Sequence, residues 1–275
     1  MNGRADLHTH TIHSDCALSP YDLIKKAKSV GLNIISITDH DSVSGIDEAI
    51  DIGKEFDVEV IPGVELSATL NDVEIHILGY FVDFRNEALR DALAGFRDER
   101  LKRAERIVNK LNSMNIPLTM ESVLANSSGG AVGRPHIASA LVNGGHAESY
   151  RQAFNKYIGN GRPAYEKKRE FSPVETVKLI AACGGLSFLA HPGRSVEDTL
   201  LFQLINEGLD GIEVVHPSHS PELVKYFRGI VAEYCLLESG GSDFHGGMKG
   251  DDHIFGQVGI PLATVDIMRS RLVSN

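Results

Sequence analysis

Residues 33–41 read Asn33-Ile34-Ile35-Ser36-Ile37-Thr38-Asp39-His40-Asp41, a β-type apolar run that breaks into a polar loop carrying an imidazole between two carboxylates. The same device recurs. Asp6-Leu7-His8-Thr9-His10 ends a run from Arg4 to His8, His191 ends Gly185 to His191, and Asp243-Phe244-His245 ends Leu236 to Asp243. Further runs at Val58 to Ser67, Glu74 to Asp83 and Gly211 to His216 bring the series to seven, most of them separated by helical patterns. Repeated β then α favours parallel strands with crossover helices. In barrels and open sheets of this kind, chemistry collects at the carboxyl ends of the strands, where the loops are free to vary. His8, His40, Glu65, His191 and Asp243 are expected at such ends, so residues far apart in sequence should converge in space.

Helix starts are marked by Ser19-Pro20 with Asp22, Ser172-Pro173 with Glu175, and Ser220-Pro221 with Glu222. Serine as N-cap, proline in the first turn and an early acid all suit a helix N-terminus. Between about Phe84 and Arg169 the alternation stops. Helical, polar segments follow at Asn86–Asn115, Thr119–Ala125, Arg134–Val142 and Ser149–Tyr157, joined by Ser127-Ser128-Gly129-Gly130 and Gly144-Gly145. A stretch of that length is too long for a plain loop. The expected organisation is an α/β barrel from 1–83 and 170–275, with 84–169 as an inserted helical cap subdomain. There is no internal repeat and no low-complexity tract.

With 275 residues and 42% hydrophobic content, the chain can bury a large core. Cys16, Cys183 and Cys235 are widely spaced and odd in number, which disfavours a disulfide framework or a thiolate zinc site. They are expected to be reduced core or near-core thiols of a cytoplasmic protein. Met1 leads straight into a strand-like segment, and no apolar stretch reaches the roughly 18 residues of a membrane span. A soluble, unexported protein is expected, with no membrane partner. A formal charge of -10 disfavours wrapping a long duplex, yet leaves room for small phosphorylated substrates, because bound cations would reverse the local field. Nothing in the sequence fixes an oligomeric state.

His8 and His10 are two apart, so on an extended strand they share a face and can reach one metal; Asp243 and His245 have the same spacing. One such pair arises often by chance. Two pairs plus Thr38-Asp39-His40-Asp41 make coincidence less credible. Imidazole and carboxylate are the ligand set of Zn, Mn and Fe sites.

These pieces, with Asp15, Pro62-Gly63-Val64-Glu65, Glu74-Ile75-His76 and Ala190-His191-Pro192, resemble in order the polymerase and histidinol phosphatase family, the PHP domain. The resemblance implies a distorted (β/α)7, TIM-like barrel, in agreement with the seven runs. It also implies two or three divalent ions of Mn, Fe or Zn. One would be held by His8, His10, Glu65 and Asp243; a second by Glu65, His76 and His191; a third by Asp15, His40 and His245. Asp6 and Asp39 are better placed to orient ligating histidines than to ligate.

The activity implied is phosphoester hydrolysis by a metal-bound hydroxide, with His13 and Arg194 as candidate assistants and no covalent nucleophile. Cys16 is expected simply to pack. Candidate substrate contacts are Arg100, Arg103, Arg134, His136, Arg194 and His216. Arg100 and Arg103 lie in a mixed-charge helix that on a bland reading is a solvated face. At i and i+3 they are nonetheless neighbours. The insertion and Gly133-Arg134-Pro135-His136 look most like stand-alone bacterial members that dephosphorylate nucleoside 3',5'-bisphosphates or trim RNA from its 5' end. The expected partner is thus a nucleotide or a short single-stranded RNA or DNA end. A histidinol-phosphate phosphatase is the alternative enzyme, and a metal- or phosphate-binding regulatory module without turnover is the alternative of another class.

Overall fold

The computed structural model describes residues 3–71, 73–127, 131–167, 171–193, 196–248 and 250–274. Seven strands form the wall: β1 (Arg4–Thr9), β2 (Leu32–Ile37), β3 (Glu59–Leu70), β4 (Val73–Tyr80), β5 (Leu186–Leu189), β6 (Gly211–Val215) and β7 (Leu237–Gly240). A two-residue β8 (Ile260–Pro261), which the sequence did not announce, pairs antiparallel with the start of β1. The order is β7-β6-β5-β4-β3-β2-β1-β8. Beyond β7 the chain returns to β1: Asp243 N–H donates to His8 O at 2.9 Å and His10 N–H to Phe244 O at 3.1 Å. Gly241 permits this closure, because a Cβ there would lie 2.3 Å from His8 N.

The all-parallel expectation fails at β4, which is antiparallel to both β3 and β5. Only two residues join β3 to β4, and a link that short makes a hairpin and not a crossover. Asn71 takes the left-handed conformation there, with φ 50°. As a result β3 is long, and Glu65 sits within it and not at its end. It still reaches the rim, because β3 pairs with β2 only as far as Pro62, and Glu65 then bridges His40.

Helices α1 (Pro20–Ser29) and α2 (Ile46–Phe56) pack Leu23, Ile24, Ala27 and Ala49 on Ile35 and Ile37 of β2. Ser19 caps α1 by accepting from Asp22 N–H at 3.1 Å. The long α3 (Glu87–Ser113) is shared between two cores. Its first turns bury Leu89 and Leu93 against the barrel cluster, whereas Ala104, Ile107, Val108 and Leu111 join a separate cluster with α4 (Met120–Leu124), α5 (Arg134–Asn143) and α6 (Tyr150–Ala153). A π-helical turn, Phe154–Ile158, continues α6. Then α7 (Pro173–Ala182), α8 (Asp198–Asn206) and α9 (Pro221–Glu233) cover β4 to β7, and α10 (Leu262–Ser274) packs Val265 and Met268 near Ala5 and Leu7. Among the described residues no helix is long and apolar enough to cross a membrane. Cys16 and Cys183 are buried as expected; Cys235 is exposed, because it occupies the left-handed turn (φ 52°) between α9 and β7.

Candidate metal centre

β1 delivers His8 and, one residue past its end, His10, both fully buried. Around them, Glu65 of β3, His76 of β4, and His40, His191, Asp243 and His245 of the rim loops converge. Three groups have ligand atoms mutually within 4.8 Å: His8, His10, Glu65 and Asp243; His40, Glu65 and His76; His10, Asp15, His40 and His245. The first is the set expected from the sequence. Glu65 also meets His76 Nδ1 at 2.7 Å and His191 Nε2 at 3.0 Å through Oε1. His10 and His40 each fall within two groups, so the centre is more interlaced than an allocation of separate sets suggests.

The donor atoms fit a cation. His8 Nε2, His40 Nδ1 and Glu65 Oε2 are buried and make no hydrogen bond, although Glu65 Oε2 lies 3.3 Å from the first and 2.9 Å from the second. A buried polar atom left unmatched costs about 1–3 kcal/mol, which a shared cation would offset. Tautomers agree with this. His8 Nδ1 faces Glu213 Oε1 at 2.9 Å and His245 Nδ1 faces the Asp243 carbonyl at 2.6 Å. Each Nδ1 is therefore a donating nitrogen, and each Nε2 is the one turned to the centre, free to ligate once a metal displaces any proton it carries.

Burial and the neighbouring His245 push His10 down to about 3, so it is neutral. Burial alone would raise Glu65, but His40, His76 and His8 hold it well below the usual carboxylate range. Burial would also lower His8 and His76; their carboxylate partners win, holding His8 well above its ordinary value and His76 at about 9. A field that draws protons onto imidazoles draws a metal as well, and the two compete.

Glu213, unremarked in the sequence, is fully buried on β6. Besides holding His8, it accepts the backbone N–H of His191 at 2.7 Å and so fixes a residue strained at φ 27°. The available signal was a lone carboxylate inside the apolar run Gly211-Ile212-Glu213-Val214-Val215. Asp6 orients backbone, and Asp39 reaches the His10 imidazole only through Ser14, whose Oγ lies 3.4 Å from His10 Nδ1. Asp6 accepts from Ser242 N–H at 2.9 Å, and burial raises it to about 6; Asp39 accepts from the N–H and hydroxyl of Thr11 and from Ser14. Asp251 accepts the N–H groups of His245 and Gly247.

A cleft of about 280 Å³ opens from Asp15, His40 and His76 to Arg100, Arg103 and Arg134 of the insertion. The charged face of α3 thus divides. Lys102, Arg106 and Lys110 pair with Asp98, Glu99 and Glu166 toward solvent, while Arg100 and Arg103 turn inward. Arg100 donates to Asp41 at 2.6 Å and Arg134 to Glu74 at 3.2 Å. Among the described residues, Arg103 alone of the three bonds a carbonyl, Glu166 O at 2.9 Å, and no carboxylate. Burial and the adjacent Arg134 lower it to about 10, and it remains cationic at neutral pH. A larger cavity of about 390 Å³ shares Arg100 and Arg103, but its lining includes none of the metal-group residues, so the smaller cleft is the one of the two that adjoins the candidate centre.

Other expected contacts fall differently. His13 Nδ1 bonds Ser44 Oγ at 3.0 Å, with its ring against Gly45. His136, expected as a substrate contact, is buried and accepts Gly133 N–H at 3.0 Å, closing the first turn of α5. Arg194 lies outside the described residues. His216 does line the centre: its Nδ1 accepts Ser218 N–H at 3.1 Å, leaving Nε2 protonated 3.7 Å from Asp243 Oδ2. The Cys16 thiol is pushed up to about 12 by burial, so it is protonated at neutral pH.

Residues 6–159 match the PHP domain family. The chain is 34% identical over 251 residues to a 5'-3' exoribonuclease of Haemophilus influenzae (89% of this chain, 91% of that one). It is 32% identical over 246 residues to a 3',5'-nucleoside bisphosphate phosphatase of Chromobacterium violaceum (87% and 86%). Among solved structures, a protein of Bifidobacterium adolescentis assigned as a metal-dependent phosphoesterase superposes with TM-score 0.92 at 33% identity, covering 98% of this chain and 96% of that one. A Chromobacterium violaceum structure described as an amidohydrolase with bound sulfate gives 0.84 at 29%, covering 94% and 92%. With the ligand geometry in place and these matches spanning most of its length, the chain belongs to the PHP domain family.

Proposed function

We propose that the protein is a metal-dependent phosphoesterase acting on the phosphate of a nucleotide, either a nucleoside 3',5'-bisphosphate or the 5' end of a short single-stranded RNA or DNA. The observation that carries this is the cleft: a cation-binding carboxylate–imidazole centre faces three arginines across one small opening. Two or three Mn, Fe or Zn ions would be held by His8, His10, Asp15, His40, Glu65, His76, His191, Asp243 and His245. Bound there, they would act as Lewis acids and supply a hydroxide nucleophile at neutral pH.

The remaining work falls to side chains. Arg103 binds non-bridging phosphate oxygens as a planar donor fork, and Arg134, held by Asn160 and Glu74, adds positive charge beside it. Arg100, locked between Asp41 and Ser67, orients that wall more than it neutralises charge. His216 offers its Nε2–H to a phosphate or leaving-group oxygen, and Glu213 keeps His8 in its ligating tautomer. Residues 84–169 act as a cap: Ala131 N–H donates to His13 O at 3.2 Å, tying the insertion to the first rim loop. A capped cleft favours a mononucleotide or frayed end over duplex. Among the relatives, one is named for a bisphosphate and others for RNA, and one neighbour holds sulfate, a phosphate analogue.

A panel of nucleoside 3',5'-bisphosphates, nucleoside monophosphates, 5'-phosphorylated short RNA and DNA, and histidinol phosphate tests this with Mn2+ present. Highest kcat/KM on a nucleotide is expected. Preference for histidinol phosphate would overturn the substrate while sparing the metal centre, and inertness toward all would favour a binding module.

A further inference from the structure

The cleft that joins the metal centre to the arginines has an aromatic side that phosphate chemistry does not use. Tyr150 and Phe154 line it, both half-buried, their ring centroids 4.9 Å apart and tilted by 36°. Their inner sides rest on the core of the insertion. The Arg134 guanidinium lies 5.8 Å from the Phe154 centroid and 5.8 Å from that of Tyr165, and Asn160 and Glu74 pin it there. Phe154 opens the π-helical turn Phe154–Ile158, a widened geometry met often at functional sites. From these observations we infer that Tyr150 and Phe154, backed by Arg134, form a stacking shelf for the nucleobase of the substrate, an inference that rests on the nucleotide reading above.

The lining also sets what kind of recognition this is. Two polar groups there that could read a base edge are engaged elsewhere: Ser14 Oγ donates to Asp39 at 2.5 Å and Glu74 accepts from Arg134. Rings and guanidinium planes accept any base, because every base has a π-face, and such stacking contributes substantially per base. The shelf therefore selects for the presence of a base and not for its identity. Compounds whose phosphate hangs on a bare sugar, or on an imidazole too small to cover both rings, lose this contact.

The chain contains no tryptophan, so Phe154→Trp places a single reporter on the shelf. Titration of this variant with adenosine 3',5'-bisphosphate is expected to quench its emission saturably, while an abasic ribose 3,5-bisphosphate analogue is not. In parallel, Phe154→Leu should lower the ratio of kcat/KM for nucleotide over abasic analogue about tenfold, equally for adenine and uracil. Equal quenching by both compounds, or equal loss of both activities in Phe154→Leu, overturns the shelf. Wild-type protein that hydrolyses neither compound contradicts the proposed function instead, and the quench then still decides the shelf.

Discussion

At the barrel mouth, His8, Glu65 and His245 are fully buried, and each is held by strand register, a strained loop or an acceptor on Nδ1. Across the cleft, Tyr150, Phe154 and Arg134 stay partly exposed on short helices, fixed by a few surface contacts. The first region cannot move without breaking the closure of β7 onto β1; the second can be exchanged without touching that closure. Rigid carboxylate–imidazole geometry suits chemistry that many phosphoesters share, whereas on the proposal above the inserted helices decide which phosphoester enters. Damage to the mouth should abolish turnover and metal binding together, and damage to the cap should change substrate preference while metal stays bound.

The sharpest way to break that contrast is Glu65→Gln. One carboxylate touches His8, His40, His76 and His191, so the variant should lose metal and at least about a thousandfold in kcat, as expected when several kcal/mol of charge stabilisation disappear. Any single histidine variant should lose less. Glu213→Gln touches no substrate, yet it should cost about 10–100-fold in metal affinity or activity, read by metal titration, because it orients His8 and the His191 loop. If Glu213→Gln binds metal as the wild type does, the account of His8 is wrong.

On the cap side, Arg103→Ala should raise KM for a phosphorylated substrate about tenfold, with metal content unchanged, since a hydrogen bond to a charged group is worth about 1.5–3 kcal/mol. An unchanged KM would remove Arg103 from the phosphate site. The smallest effect belongs to His136→Ala. Losing the α5 cap should lower stability by about 1 kcal/mol, a fall of about 2–4 °C in Tm, with little change in kcat.

The mouth was legible in the sequence for a physical reason: strand alternation and His-x-His spacing encode which side chains share a face, and the breaks after apolar runs mark the rim. Asp6-Leu7-His8-Thr9-His10 announces its own geometry. Glu65 was found by its motif though misplaced at a strand end, because the two-residue link to β4 outweighed the βα pattern and extended β3. Glu213 escaped because nothing local distinguishes a buried carboxylate that orients a ligand from a strand residue facing solvent. Arg100 and Arg103 share one helix with Lys102, Arg106 and Lys110, and which of them turn inward depends on where α4 to α6 pack. Tyr150 and Phe154 carried no signal, since a pair of aromatics at helical spacing reads first as core.

The most direct test is metal content and phosphoesterase activity measured on the same wild-type sample, before and after stripping with a chelator and again after Mn2+ is restored. Two or three divalent ions per chain, hydrolysis of adenosine 3',5'-bisphosphate that vanishes on stripping, and its return with Mn2+ are the predicted results. Full activity in the metal-free protein, or a metal-loaded protein inert toward every phosphoester offered, would contradict the assignment of the barrel mouth as the catalytic centre.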